Sequence, residues 1–209
     1  MPLPIFWSFR RCPFAMRARL AIASAGVRVE LREVVLRDKP DAFLAASPSA
    51  TVPCLETAEG VIDESHDIML WALRQADPMG WLKMPEEGRA LIATCDGPFK
   101  QALDLYKYAA RHPGSDPVAQ RTKASTFLRG LDDRLRTSGH LYGDHATLAD
   151  MAILPFVRQF AHTDLDWFTA QSWPHLVGWL DRFKTSDGLA AIMAKYPQWQ
   201  DGDVPLTFP

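Results

Sequence analysis

The segment Arg10-Arg11-Cys12-Pro13-Phe14-Ala15 holds the residue best suited to chemistry in this chain. The thiolate, not the thiol, is the cysteine nucleophile, and surroundings that favour it raise reactivity. Two arginines precede Cys12, and Pro13 suits the first turn of a helix. Cys12 therefore falls where unpaired N–H groups and the positive end of a helix dipole gather. A reactive thiol is the expectation. The alternative is a buried structural cysteine, but a Cys-Pro pair between a strand and a helix is not a packing signature.

Three further groups stand out. In Thr51-Val52-Pro53 the proline cannot donate to a strand ladder. If the Val52–Pro53 bond is cis, the Val52 N–H and C=O turn outward and can hold an extended peptide. Taken alone, Pro53 reads first as an edge-strand residue. In Glu64-Ser65, opening a helix, the hydroxyl and helix end suit a carboxylate and Glu64 suits an ammonium. An amino-acid head group carries both charges, while a plain N-cap is the simpler account. Thr147 and Asp150 form a capping box with Asp in the usual Glu or Gln place. Their expected role is structural.

Short elements must position these residues. Residues 4–9 read as a buried strand, 14–25 as a helix closed by Gly26, and 27–36 as a second strand of alternating pattern. Strand–helix–strand order predicts a parallel βαβ unit. A short helix over 39–46, strands at 51–56 and 61–62, and a helix over 66–75 complete a βαβ-α-ββα half. Beyond Pro85 strand signals vanish and helices follow at about 86–110, 117–137, 148–161 and 174–184. The expected division is a first domain over 1–76, a linker over 77–85 and an all-helical domain over 86–209.

Of the 209 residues, 47% are hydrophobic and 23% charged, with a net charge of −2. That balance fits a globular protein and gives no basic excess for nucleic acid or an anionic membrane. No apolar run approaches the roughly 20 residues of a membrane span. The first residues lack a signal-peptide pattern, so the expected location is the cytoplasm. Three dispersed cysteines do not read as a disulfide framework. No Cys-x-x-Cys, His-Glu-x-x-His, phosphate-binding glycine loop or Gly-x-Ser-x-Gly occurs. Six scattered histidines give no reason to expect a metal.

Joined in order, Cys12-Pro13-Phe14-Ala15, Met16-Arg17-Ala18-Arg19, Lys39, Ser47-Pro48, Val52-Pro53, Glu64-Ser65 and Thr147-Leu148-Ala149-Asp150 form a pattern. It resembles the cytosolic glutathione transferase superfamily, within it the cysteine-type, omega-like branch, and covers nearly the whole chain. The resemblance implies an α/β thioredoxin-like N-terminal domain, an all-helical C-terminal domain, glutathione as co-substrate and a homodimer. It makes Cys12 the catalytic cysteine, supported by Pro13 and Phe14 at the helix start. Val52, before a cis Pro53, becomes the backbone partner of the glutathione cysteinyl unit. Glu64 and Ser65 become the holders of the γ-glutamyl group, and Lys39 faces the glycine carboxylate. Ala15 departs from dithiol glutaredoxins, which carry a second cysteine there, so external glutathione must resolve the intermediate. Cys54 stays open as a resolving thiol. Ser8, inside the first strand, reads as structural.

The implied activity is thiol transfer or reduction through a Cys12–glutathione mixed disulfide, including dehydroascorbate or glutathionyl adducts as substrates. Conjugation of glutathione to electrophiles is the first alternative. Non-catalytic binding of glutathione or a partner is the second. The second substrate, a small molecule or a protein thiol, is expected between the domains, with Phe99, Leu103 and Tyr106 as a wall.

Overall fold

The structure, a computed structural model, describes residues 2–209. It forms two compact units, Met1–Gly80 with Thr185–Pro209, and Trp81–Lys184.

In the first unit the chain runs β1 (Ile5–Ser8), α1 (Pro13–Ala25), β2 (Val29–Glu33), α2 (Asp41–Ala46), β3 (Cys54–Thr57), β4 (Gly60–Ile62) and α3 (Ser65–Gln75). β1 pairs parallel with β2, setting Phe6 opposite Leu31 and Trp7 opposite Arg32. On its other edge β1 pairs antiparallel with β3, setting Phe6 opposite Leu55 and Trp7 opposite Cys54. Parallel pairing needs a crossover, which α1 supplies. Phe6 and Trp7 are both fully buried, so the central strand is covered on both faces.

Nine of the thirteen residues of α1 are buried, as expected of a helix apolar nearly all round. Pro13 opens it, and Gly26 closes it at φ +65°, a left-handed position that glycine adopts without a Cβ penalty. α1 packs against α3 and against α10 (Asp187–Ile192).

The last 25 residues correct the expected assignment of 86–209 to one helical domain. Thr185–Pro209 belongs with the first unit. Trp199 N–H donates to Glu33 O at 2.9 Å, and Leu31 N–H to Leu206 O at 2.7 Å. β5 (Thr207–Phe208) then pairs antiparallel with β2, giving the sheet order β4-β3-β1-β2-β5. A strand therefore exists after Pro85. Its cause is tertiary: it covers the open edge of β2, and two residues carry no periodic signal.

The second unit holds α4 (Glu86–Thr94), α5 (Lys100–Lys107), α6 (Pro117–Ser138), α7 (Leu148–Ala161), α8 (Leu165–Thr169) and α9 (Pro174–Lys184). The single helix expected over 86–110 is divided by a π-helical turn at Cys95–Phe99 that contains Pro98. Proline has no N–H for the carbonyl four residues back, and its ring crowds that carbonyl, so the ladder widens by a residue. Asp150, fully buried, carries the predicted cap at the start of α7. Its carboxylate accepts from Thr147 N at 2.8 Å, Thr147 Oγ1 at 2.9 Å, Leu141 N at 3.0 Å and Trp179 Nε1 at 3.1 Å. Among the described residues no helix is long and apolar enough to cross a membrane.

Candidate functional site

Cys12 is the N-cap residue of α1, half-buried, with extended backbone at φ −76° and ψ 125°. Its N–H donates to Phe9 O at 2.9 Å, and its carbonyl accepts the first helical bond, from Met16 N at 2.8 Å. The side chain makes no cap bond. Cys12 therefore stands at the N-terminal, positive end of α1. Pro13, buried at the first helical position, has no N–H to lose there. Phe14 is half-buried, its ring 5.3 Å from the Arg17 guanidinium.

The two arginines before Cys12 engage other groups. Arg10 donates through Nη1 to Met193 O at 3.3 Å, and its backbone N–H donates to Glu33 Oε1 at 2.8 Å. The Arg11 guanidinium lies 5.3 Å from the Phe9 ring.

Forty residues on in sequence, Val52 reaches the same point. The Cys12 Sγ donates to Val52 O at 3.7 Å, and the Val52–Pro53 bond is cis. Val52 and Pro53 are buried. Lys39, half-buried, donates from Nζ to Ala50 O at 3.0 Å, at the entrance to this segment. Glu64 is the exposed N-cap of α3 and gives that helix no side-chain cap. Ser65, 2% exposed, accepts at Oγ from Arg17 Nε at 2.9 Å.

The remaining expected positions fall elsewhere. Cys54 is fully buried beside Trp7, Val34, Phe43 and Val52. Burial pushes its thiol from 9.0 up to about 11, against the pull of the Ser47 hydroxyl. Such a thiol is a poor candidate for resolving a disulfide. Ser8 is buried and accepts from Arg19 Nε at 2.8 Å, a structural contact. Phe99 and Leu103 are 2% and 0% exposed within the helical unit. The Phe99 ring packs 4.7 Å from Phe127 and 6.0 Å from Phe160. Burial against their own unit gives both a packing role and leaves no open face for a ligand wall. Tyr106 is half-buried, its ring 5.4 Å from Phe160. Among the described residues no group of three or more His, Cys, Asp or Glu is placed to hold a metal.

Residues 6–80 match the family model of the glutathione S-transferase N-terminal domain, and residues 102–182 that of the C-terminal domain. The chain belongs to the glutathione S-transferase superfamily. Glutathione S-transferase omega-1 of Sus scrofa is 35% identical over 132 residues, covering 62% of this chain and 50% of that protein. The probable cytosolic glutathione S-transferase DHAR1 of Oryza sativa subsp. japonica is 25% identical over 148 residues, 69% of this chain and 64% of that one. The chain thus spans about half to two thirds of the length of these curated relatives. A glutathione transferase family member from Pseudomonas fluorescens pf-5, solved with two glutathione molecules bound, superposes with a TM-score of 0.77. At 16% identity, covering 91% of this chain and 92% of that one, it shares the transferase fold.

The sequence places Arg17 and Arg19 in the family pattern, but sequence reasoning gave neither a role. Both are buried on α1, at 1% and 0% exposure. A usable signal existed: two arginines interrupt a run that is otherwise apolar from Phe14 to Ile22. A charge on such a helix has to be paired or hydrogen-bonded.

Proposed function

We propose that this glutathione transferase-superfamily chain is a glutathione-dependent thiol transferase with Cys12 as its nucleophile. The observation that carries the reading is the placement of the Cys12 sulfur at the uncapped start of α1, 3.7 Å from the carbonyl of Val52. The Cys12 thiolate attacks the glutathionyl sulfur of a mixed disulfide. A Cys12–glutathione disulfide forms, the original S–S bond breaks, and the partner leaves as a thiolate that takes a proton from water. A second glutathione thiolate then attacks the glutathionyl sulfur of that adduct. Oxidised glutathione leaves and the Cys12 thiolate returns, so electrons and atoms balance.

In this reading the Val52 backbone pairs with the cysteinyl unit of glutathione. Glu64 meets the γ-glutamyl ammonium and Ser65 its carboxylate, while Lys39 meets the glycine carboxylate. Glutathione is the co-substrate, the chain pairs as a homodimer, and it works in the cytoplasm.

The test is turnover of a glutathione–hydroxyethyl mixed disulfide by the wild type, Cys12→Ser and Cys54→Ser. The intact mass of each protein is taken after exposure to oxidised glutathione. Turnover and a single glutathione adduct should vanish only in Cys12→Ser. Turnover that survives Cys12→Ser would sink the mechanism. Activity with a chloronitrobenzene electrophile in that same variant would move the assignment to conjugation.

A further inference from the structure

The bond between Arg17 and Ser65 joins two elements that the function needs to hold together. Arg17 lies five residues into the chain beyond Cys12, on the helix that Cys12 caps. Ser65 is the first residue of α3. Both side chains are buried, at 1% and 2% exposure, and they meet at 2.9 Å.

The direction of this bond follows from chemistry alone. A guanidinium only donates, so Nε–H gives its proton to Ser65 Oγ. A serine hydroxyl has one proton and two lone pairs. With one lone pair taken by Arg17, the oxygen is fixed as an acceptor toward α1 and its proton is directed away from the guanidinium. A donor held in that way suits a carboxylate, which can only accept. The guanidinium charge polarises the O–H, and polarised bonds strengthen one another in a low-dielectric setting. At the same end of α3, Glu64 leaves the first-turn N–H groups without a side-chain cap. Those groups favour an anion there.

We infer that Arg17 is a positioning residue: it orients the Ser65 hydroxyl as a donor for the α-carboxylate of the γ-glutamyl group. The inference rests on the glutathione reading of the site. One helix then sets both ends of the ligand, the sulfur through Cys12 and the carboxylate through Arg17 and Ser65. The phenyl ring of Phe14, 5.3 Å from the guanidinium, limits where that guanidinium can swing.

The experiment is calorimetric titration with two thioethers that cannot exchange with Cys12. One is S-methylglutathione. The other is its analogue with γ-aminobutyryl in place of γ-glutamyl, which keeps the ammonium and lacks the carboxylate. Arg17→Met should weaken S-methylglutathione about ten-fold, the scale of a hydrogen bond to a charged group. It should leave the affinity for the analogue unchanged. Ser65→Ala should behave alike, and the double variant should bind no worse than Ser65→Ala alone. Arg17→Leu, which likewise removes the donor, is read the same way if Arg17→Met does not fold. Equal weakening of both ligands, or additive losses in the double variant, overturns the inference and leaves Arg17 a packing residue. If the wild type binds neither ligand, the glutathione reading itself fails and takes the inference with it.

Discussion

Cys12 and Cys54 offer a sharp test, because both touch one apolar cluster and their environments differ. The perturbation is Cys12→Ser, exposed to oxidised glutathione at about pH 7.5, where an ordinary accessible thiol, titrating near 8.5, is about 9% thiolate. Cys54, pushed up to about 11 by burial, is thiolate in only about 3 molecules in 10,000 at that pH. The population ratio is about 300. A more basic thiolate is intrinsically more nucleophilic, which returns a factor of about 18 for a Brønsted slope near 0.5. About 16-fold remains. Cys54 is also fully buried in β3, so attack waits for the strand to open. An opening that costs about 4 kcal/mol cuts the rate about a thousand-fold, and this factor replaces the 16-fold one, because burial no longer holds up the opened thiol.

The expected gap is about three orders of magnitude. An adduct that forms on an accessible thiol in minutes should take about a day or longer on Cys54. The assay is intact-mass spectrometry over time, with denaturant added at the end to show that Cys54 can react once released. In Cys12→Ser the slow rate should rise about ten-fold per pH step until the thiol titrates. Two outcomes would refute the reasoning. One is a second adduct on the wild type on the same timescale as the first. The other is loss of two hydrogens, the mass of an internal Cys12–Cys54 disulfide.

Three further outcomes follow from buried and half-buried groups. Unfolded Cys54 ionises near 9.0 and the folded thiol only near 11, so the unfolded state binds fewer protons between those values. Stability should therefore fall as pH rises through that window, by up to about 3 kcal/mol, and denaturant titrations of Cys54→Ala should lack this loss. Asp150→Ala strands the buried donors of Thr147, Leu141 and Trp179 and should cost about 3–5 kcal/mol. Calorimetry should show the melting temperature fall by roughly 10 °C, with activity per folded molecule retained. Trp199→Ala removes an edge contact to Trp7 at 5.0 Å and the ring 4.4 Å from the Arg32 guanidinium. Chemical denaturation should register a loss of about 2 kcal/mol.

The thioredoxin-like half was legible in the sequence where local pattern and topology agree. The Pro13 start and Gly26 stop bound α1, and a parallel βαβ unit needs just that crossover. The meeting of Cys12 with Val52 was legible through resemblance, because forty intervening residues hide it from any local rule. Pairing causes β5, and Pro98 causes the π turn, so one lay beyond pattern and the other needed only closer attention to a proline. Phe99 and Leu103 show the opposite limit. An apolar helix face looks the same in sequence whether it meets ligand or core, and here it meets core.

The buried arginines mark where sequence patterning says least and the site depends on most. Ionised groups are costly to bury, so a core helix that carries two of them needs partners for each. Arg19 grips Ser8 Oγ, pairs with Glu33, and donates to Ile192 O at 3.1 Å. Glu33 in turn accepts the Arg10 backbone N–H, two residues ahead of Cys12. Arg17 grips Ser65 at the far end of the candidate ligand site. The turn that presents the sulfur is therefore bounded by backbone and side-chain hydrogen bonds that begin on α1 and return to it. An exposed arginine on that helix could do neither task, because water would compete for its donors. The two residues that hydrophobic patterning treats as interruptions are the ones through which α1 fixes the turn that carries Cys12 and the start of α3.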